Sequence, residues 1–168
     1  MAAELAATAA SGDQRILLVD ANLARPAVHR IFAVDRARGL AEAVLQGSEL
    51  TDCIRPSRIA NLSLLTAGGP QQKCAEVYDS GSLAAVLKAV REEFDLAVFD
   101  LPAVGEASSA IRLAGLWDGV LLVVESERVR REVACRASQQ LAQADAVLLG
   151  AVLNKRRQHV PDWLYRTL

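Results

Sequence analysis

Two stretches of the sequence decide the fold: ILLVDANLARP at residues 16–26 and LAVFDLPAV at residues 96–104. Each begins with an unbroken apolar run that ends on an aspartate, Asp20 in the first stretch and Asp100 in the second. A continuous apolar run, unlike an alternating one, indicates a strand that is buried on both faces, as in a parallel sheet. A carboxylate at the end of such a strand is costly unless it caps the following turn or binds something.

Further apolar runs predict more strands, and segments with helical spacing separate them. The predicted strands are LSLLT at 62–66, VLLVV at 120–124 and VLLGAVL at 147–153. The helical segments, in which apolar residues recur every three or four positions, are residues 39–46, 83–94 and 128–144. Strands that alternate with helices predict an α/β fold with a doubly wound, mostly parallel sheet.

The composition narrows the class of protein. The 168 residues are 52% hydrophobic and 23% charged, which predicts one folded domain over residues 1–168 with a basic and aromatic tail at 155–168. The net charge is -1, so we expect no nucleic-acid partner. Because no secretory signal and no apolar run of about 20 residues occurs, we expect a cytoplasmic protein, either free or peripheral at the inner face of the membrane.

The two strand-end aspartates together predict a magnesium site. Because the carboxyl ends of parallel strands meet at one edge of a sheet, Asp20 and Asp100 should lie close together. Mg²⁺ prefers a few carboxylates together with water and substrate phosphates. For either aspartate alone, capping of the next turn is the better interpretation. The pair and its flanking residues favour a nucleotide site.

Those flanking residues resemble a known family. ILLVDANLARP is similar to the Walker A′ segment of the bacterial tyrosine kinases of capsule and exopolysaccharide synthesis, an apolar run followed by D-x-D-x-R, a basic residue and proline. LAVFDLPAV resembles their Walker B segment, which ends in D-x-P-P. AEVYDS at 75–80 resembles their ELL-x-S helix start, and GAVLNKRR at 150–157 resembles their strand–Asn–basic segment. The resemblance covers nearly the whole chain and implies a P-loop NTPase-like fold of the deviant-Walker type.

The resemblance also implies site residues and cofactors. Asp20 and Asp100, the residual catalytic pair, would hold Mg²⁺ of an ATP or ADP complex, Asp20 alternatively acting as a base. Asn154 would bind the adenine edge, since an amide both donates and accepts hydrogen bonds, although a plain strand-end turn is an equal alternative. The complete set of implied site residues is Asp20, Asp100, Asn22, Pro102, Asn154 and Arg156.

Departures from the family pattern predict that ATP or ADP binding is weak or absent. No G-x-x-x-x-G-K-[ST] loop occurs in the 168 residues, and the segment before residue 16 resembles the back half of the helix that follows this loop. The backbone N–H groups and lysine of that loop cradle the phosphates. The second aspartate of D-x-D is Asn22, and its arginine is Ala24. We therefore expect a fold without its first strand and P-loop, with unpaired strand edges beside the Asp100 strand.

Three functions stay open at this point. The first is a catalytically inactive regulatory or scaffold subunit of capsule or exopolysaccharide assembly. It would be partnered by a membrane polysaccharide co-polymerase, a competent kinase subunit or a second copy of itself. The second is a fragment of an active ATP-dependent tyrosine autokinase whose P-loop is encoded upstream of Met1. The third is an ATPase of the partitioning or division-site type, against which the Ala-Arg-Pro at 24–26 counts.

Overall fold

The computed structural model describes residues 1–69, 74–106, 111 and 114–156. The chain divides into two compact units, residues 1–110 and 111–168. Helices and mostly parallel strands alternate in both units, which confirms the predicted α/β class. That the whole of residues 1–168 forms one domain stays a prediction.

The first unit carries most of the helices and one four-stranded sheet. Its helices are α1 (Ala2–Ala9), α2 (Val28–Phe32), α3 (Leu40–Leu45), α4 (Leu50–Cys53), α5 (Cys74–Asp79) and α6 (Ser82–Glu93). Its strands are β1 (Ile16–Asp20), β2 (Ile54–Pro56), β3 (Leu62–Leu65) and β4 (Leu96–Asp100). The second unit contains β5 (Val120–Glu125), α7 (Arg131–Gln143) and β6 (Leu148–Asn154).

The sheet of the first unit has the order β2-β3-β1-β4, with β1 parallel to both of its neighbours. The antiparallel strand β2 was not predicted, because three residues are too few to show a pattern. Arg55 and Pro56 within it suit an edge strand, since proline offers no N–H to a further neighbour. The register sets Asp20 opposite Asp100.

Both faces of β1 are covered. Its Ile16 and Leu18 pack in a cluster with Ala6 of α1 and Val28 of α2. Leu17 and Val19 point to the opposite face by strand alternation and are also 0% exposed. The sheet is therefore doubly wound around β1, as the continuous apolar run predicts.

Strand β4 is less well covered than β1, although it is equally apolar. Leu96 is 41% exposed and the other four residues are half-buried. Within the described residues, β4 pairs only with β1, so one of its edges carries no strand. The expected unpaired edge, like the missing first strand and P-loop, stays a prediction.

The described residues of the second unit form a parallel pair of strands, the α-helix α7 and a short 3-10 helix at Ala114–Leu116. Strands β5 and β6 pair through a register shift after Val120, and Glu125 lies opposite Asn154. Helix α7 starts three residues later than predicted, because Arg130, with a ψ of 150°, is extended and forms the N-cap of the helix. The strands keep large apolar side chains 38–69% exposed: Leu121, Val123, Leu148, Leu149 and Leu153. None of the described helices is long and apolar enough to cross a membrane.

Candidate functional site

The carboxyl edge of the first sheet brings Asp20 and Asp100 together. They are register partners at the ends of adjacent parallel strands. The backbones of neighbouring strands run about 4.8 Å apart. Residues in register project from the same face of a sheet, so both carboxylates lie on one side. Asp20 is fully buried and Asp100 is half-buried. The two carboxylates predicted to share a site are therefore neighbours.

The two oxygens of Asp20 have different surroundings. Its Oδ2 accepts backbone hydrogen bonds from Ala27 at 2.8 Å and Val28 at 2.9 Å, at the amino end of α2. Its Oδ1 is buried and has no hydrogen-bond partner among the described residues. The capping interpretation thus accounts for one oxygen. The other is a buried acceptor without a hydrogen bond of good geometry, although the Asn22 N–H lies close enough to lower the Asp20 pKa. Such an atom is one that a cation can satisfy.

The electrostatics of this pair disfavour two negative charges. Burial raises the pKa of Asp20, against the opposing hydrogen bonds from Val28 and Ala27. Burial also raises the pKa of Asp100, and the negative charge of Asp20 raises it further. The ammonium group of Met1, at the amino end of α1, partly opposes the rise at Asp100. A cation bound between the carboxylates would compensate each buried negative charge and offset the repulsion between them.

The two peptides that follow Asp20 are each held by a hydrogen bond at Ala21. The Ala21 N–H donates to the carbonyl oxygen of Asp100 at 3.0 Å. The Ala21 carbonyl oxygen accepts a hydrogen bond from the Tyr78 hydroxyl, which reaches it from α5 and is buried. Sequence reasoning missed Tyr78. The available signal was a tyrosine within the short apolar face of a helix, since a buried phenol needs a hydrogen-bond partner.

The loops after β1 and β4 carry two more of the predicted site residues. The Asn22 side-chain oxygen accepts from the Arg25 N–H at 3.2 Å, so it closes a tight turn. Arg25 in turn forms an ion pair with Glu106, which joins the two loops. Pro102 is half-buried in the loop after β4. A cofactor contact for Asn22 or Pro102 stays a prediction.

The remaining predicted residues lie in the second unit. The Asn154 side-chain oxygen accepts from the Lys155 N–H at 2.9 Å, and Lys155 has a left-handed φ of 55°. This geometry is that of the strand-end turn considered as the alternative for Asn154. Arg156 is exposed, and Lys155 pairs with Glu125 at 2.9 Å. Adenine binding by Asn154 and Arg156 stays a prediction.

A buried glutamate fixes the loop that follows β3. Glu42 Oε2 accepts from the Gly39 N–H at 2.8 Å, and Oε1 accepts from the Gly69 N–H at 3.2 Å. Gly68 has a φ of 96°, and a Cβ on it would lie 2.0 Å from Glu42 Oε2. The loop therefore depends on glycine and on Glu42 together. Sequence reasoning missed Glu42, because its position on a helix is ordinary for a solvated glutamate.

The site residues fit a hydrated magnesium ion. Asp20 Oδ1 is a buried oxygen without a partner, and Asp100 adds a second carboxylate at the same edge. In the part of the chain that the structure describes, no group of three or more His, Cys, Asp and Glu side chains could hold a metal ion. Two carboxylates suffice for Mg²⁺, which keeps several waters and binds substrate phosphates.

The sequence is similar to bacterial tyrosine-protein kinases. It is 30% identical over 156 residues to the tyrosine-protein kinase YwqD of Bacillus subtilis, and the aligned residues cover 93% of this chain and 66% of YwqD. It is 28% identical over 155 residues to the putative tyrosine-protein kinase CapB of Staphylococcus aureus, and the aligned residues cover 92% of this chain and 68% of CapB. It also matches the succinoglycan biosynthesis transport protein ExoP of Rhizobium meliloti at 28% identity, over 20% of that protein. No family model matches the chain.

Solved structures agree with this relationship. The chimerical protein CapA2B2 superposes with a TM-score of 0.87 at 27% identity, over 94% of this chain and 70% of that one. The kinase domain of the Escherichia coli tyrosine kinase ETK gives 0.87 at 26% identity, over 95% and 64%. The septum site-determining protein MinD of Pyrococcus horikoshii, solved with Mg-ADP, gives 0.75 at 20% identity and shows a shared fold alone.

The aligned residues of YwqD, CapB, CapA2B2 and ETK extend along almost all of this chain. The chain spans about two thirds of the length of YwqD and of CapB. The same relationship is found in sequence and in structure, and it includes both strand-end aspartate segments. The chain belongs to the family of the bacterial tyrosine-protein kinases of capsule and exopolysaccharide biosynthesis, with the P-loop NTPase fold.

Proposed function

We propose that the first unit binds Mg²⁺ and an adenine nucleotide weakly, and that residues 1–168 by themselves do not transfer a phosphoryl group. The chain then acts as a regulatory or scaffold subunit in capsule or exopolysaccharide assembly. The observation that carries the binding claim is the Asp20–Asp100 pair, with one buried oxygen of Asp20 unsatisfied. A bound Mg²⁺ would neutralise charge on a phosphate chain, while Asp20 and Asp100 orient its water shell.

The proposal of weak binding rests on residues inside the chain. Asn22 lacks the charge that the D-x-D pattern supplies, and its oxygen is already used to close the turn at Arg25. Ala24 has no guanidinium group, and Arg25 is paired with Glu106. Phosphoryl transfer depends on positioning and charge stabilisation. With these groups lost or engaged, the 168 residues offer few contacts for the phosphates.

The proposed partner is a membrane polysaccharide co-polymerase or a competent kinase subunit at the inner face of the membrane, with self-association as an alternative. In ExoP, a transport protein of succinoglycan biosynthesis, the matched segment is only 20% of the length. In that relative, a related segment is therefore part of a longer polypeptide. The exposed apolar residues of β5 and β6, among them Leu149 and Leu153, give this chain surface that a partner could cover.

Titration calorimetry with Mg-ADP, and separately with Mg-ATP, tests the proposal. Wild-type chain should bind with a micromolar or weaker Kd. Asp20→Asn and Asp100→Asn should each lower the affinity at least tenfold, or about 1.4 kcal/mol. Asp13→Asn is the matched control, because Asp13 is an exposed carboxylate that precedes β1 at the other end of the strand. It should bind like wild type.

Incubation with Mg-ATP and detection of phosphotyrosine tests the inactivity claim. We expect no phosphotyrosine on the chain, which contains Tyr78 and Tyr165 as its tyrosines. Sub-micromolar ATP binding or autophosphorylation would overturn inactivity and favour the active autokinase. Equal binding by wild type, Asp20→Asn and Asp100→Asn would remove the site itself.

A further inference from the structure

A tyrosine outside the carboxylate pair controls the backbone on which the pair depends. Tyr78 lies in α5, and its side chain is 6% exposed. Its hydroxyl donates to the carbonyl oxygen of Ala21, the residue directly after Asp20. A buried hydroxyl that bonds the first backbone group beyond a strand is placed to fix where that backbone turns.

The peptide before the Ala21 carbonyl is also held. The Ala21 N–H, in the peptide that joins Asp20 to Ala21, donates to the Asp100 carbonyl oxygen at 3.0 Å, which continues the β1–β4 pairing beyond the last strand residue. Ala21 is 2% exposed, so water does not readily replace either contact. Strand β4 therefore holds the Asp20–Ala21 peptide, and Tyr78 of α5 holds the Ala21–Asn22 peptide that follows it.

The Asp20 carboxylate has few other restraints. Its Oδ2 is held by the N–H groups of Ala27 and Val28, and its Oδ1 is unpartnered among the described residues. A third backbone group, the Asn22 N–H, lies close enough to the carboxylate to lower the Asp20 pKa. This N–H belongs to the same peptide as the Ala21 carbonyl that Tyr78 holds. Loss of the Tyr78 contact would let that peptide rotate and would remove the Asn22 N–H from the carboxylate.

We propose that Tyr78 is a positioning residue, whose buried hydroxyl holds the Ala21 carbonyl oxygen and thereby fixes the Asp20 carboxylate for cation binding. This inference rests on the proposed function of the Asp20–Asp100 site. It assigns α5 a role in the site although that helix contributes no group to the cation. It also gives Tyr78 a use other than as a phosphoryl acceptor, since its hydroxyl is buried and already donating.

The test compares Tyr78→Phe with Val77→Ala in the full chain. Phenylalanine keeps the ring and removes only the hydroxyl. Val77 is the adjacent residue of α5 and is 0% exposed, so its truncation destabilises the same helix without touching Ala21. Amide hydrogen exchange is measured at Ala21, Ala27 and Val28, with Leu64 in β3 as the reference.

In Tyr78→Phe we expect exchange at Ala21, Ala27 and Val28 to accelerate about fivefold relative to Leu64, as for one lost hydrogen bond. Val77→Ala should accelerate the reporter and reference amides alike. In a second arm, Mn²⁺ alone is titrated and followed by electron paramagnetic resonance. Its Kd should rise several-fold in Tyr78→Phe and stay at the wild-type value in Val77→Ala.

The two arms separate the possible failures. Uniform exchange in Tyr78→Phe overturns the inference, and so does selective exchange with unchanged Mn²⁺ affinity. If wild type binds no Mn²⁺, the proposed function fails. In that case, faster amide exchange at Ala27 and Val28 alone in Tyr78→Phe still supports the restraint of Asp20 by Tyr78. Unchanged exchange at these two amides still overturns that restraint.

Discussion

The carboxylate of Glu42 occupies the space in which Gly68 would carry a side chain: a Cβ there would lie 2.0 Å from Oε2. The two residues therefore constrain each other. Gly68 must stay without a side chain and adopts a φ of 96°, where L side chains are strained. Glu42 can then enter and bind the loop N–H groups that would otherwise be buried without a partner.

Substitution of glycine in this loop should be severe. Gly68→Ala and Gly39→Ala both place a Cβ against fixed atoms; in Gly39 the nearest is the Thr66 carbonyl oxygen at 2.2 Å. We expect each to lower the free energy of unfolding by about 3 kcal/mol or more, through strain and lost hydrogen bonds, in urea unfolding. Gly81→Ala is the control, since nothing lies within 4 Å of its Cβ and its φ is −59°. An unchanged midpoint in Gly68→Ala would contradict the packing described.

Removal of the Glu42 carboxylate should cost less than the glycine changes, and by a graded amount. Glu42→Ala leaves the N–H groups of Gly39 and Gly69 without their acceptor, so we expect a loss of about 2–4 kcal/mol. Glu42→Gln keeps one carbonyl acceptor and should lose about half as much. Thermal unfolding of the three proteins gives the order. A Glu42→Gln variant as unstable as Glu42→Ala would show that the charge, rather than the acceptors, matters.

Neutralising Asp100 should stabilise the chain when no divalent cation is present. The pKa of Asp100 is raised in the folded chain, so its charged form is less favourable there than in the unfolded chain. The cost is absent below the unfolded pKa, grows as the pH rises, and is fully present above the folded pKa. Asp100→Asn should therefore raise Tm by a few degrees at pH 7, and the gain should vanish near pH 3.

A carboxylate with the opposite shift provides the control. The side-chain hydrogen bond from Arg15 lowers the pKa of Asp95, so this charge favours folding above the unfolded pKa and the benefit fades as pH falls. Asp95→Asn should lower Tm slightly at pH 7 and change it little in acid. If Asp100→Asn also lowered Tm, the carboxylate pair would not be electrostatically strained.

Cation affinity at the site should fall on acidification earlier than at a surface aspartate. Burial raises the pKa of both Asp20 and Asp100, and Mn²⁺ needs the deprotonated carboxylates. The midpoint of Mn²⁺ binding against pH should lie above the ordinary aspartate value of about 3.9. Burial lowers the pKa of nearby His29, so His29→Gln is measured in parallel. A midpoint that disappears in this variant would assign the titration to the histidine.

The ion pair between the two site loops should contribute little to stability. Arg25 and Glu106 are 66% and 49% exposed, so water screens their attraction. A double-mutant cycle with Arg25→Ala and Glu106→Ala should give a coupling of at most about 1 kcal/mol. A larger coupling would mean that the loops after β1 and β4 move as one body.

The sequence predicted the parts of the fold in which local pattern and burial agree. The run from Ile16 to Val19 is apolar throughout, and together with Asp20 it forms a fully buried inner strand with the aspartate beside Asp100. The three residues of β2 were missed, because so short a strand exists only through its pairing with β3. The start of α7 was missed because Arg130 is extended at the N-cap, although arginine otherwise suits the interior of a helix.

The contacts that organise the site could not be predicted from spacing. Glu42 and Gly69 are 27 positions apart, and Tyr78 and Ala21 are 57 apart. Such contacts depend on how helices settle on the sheet, which no local pattern records. The aspartates were predictable for the opposite reason, because strand ends in a parallel sheet share an edge whatever the loops do.

The two edge strands of the four-stranded sheet, β2 and β4, differ in how readily a further strand could pair with them. On the β2 side, Pro56 offers no amide hydrogen and Arg55 carries a charge, so an approaching extended peptide finds little to bind. On the β4 side, the run from Leu96 to Phe99 has neither safeguard, and Leu96 is 41% exposed. Among the described residues of the first unit, the β4 edge, at which Asp100 lies, is therefore better suited than the β2 edge to pair with a further strand.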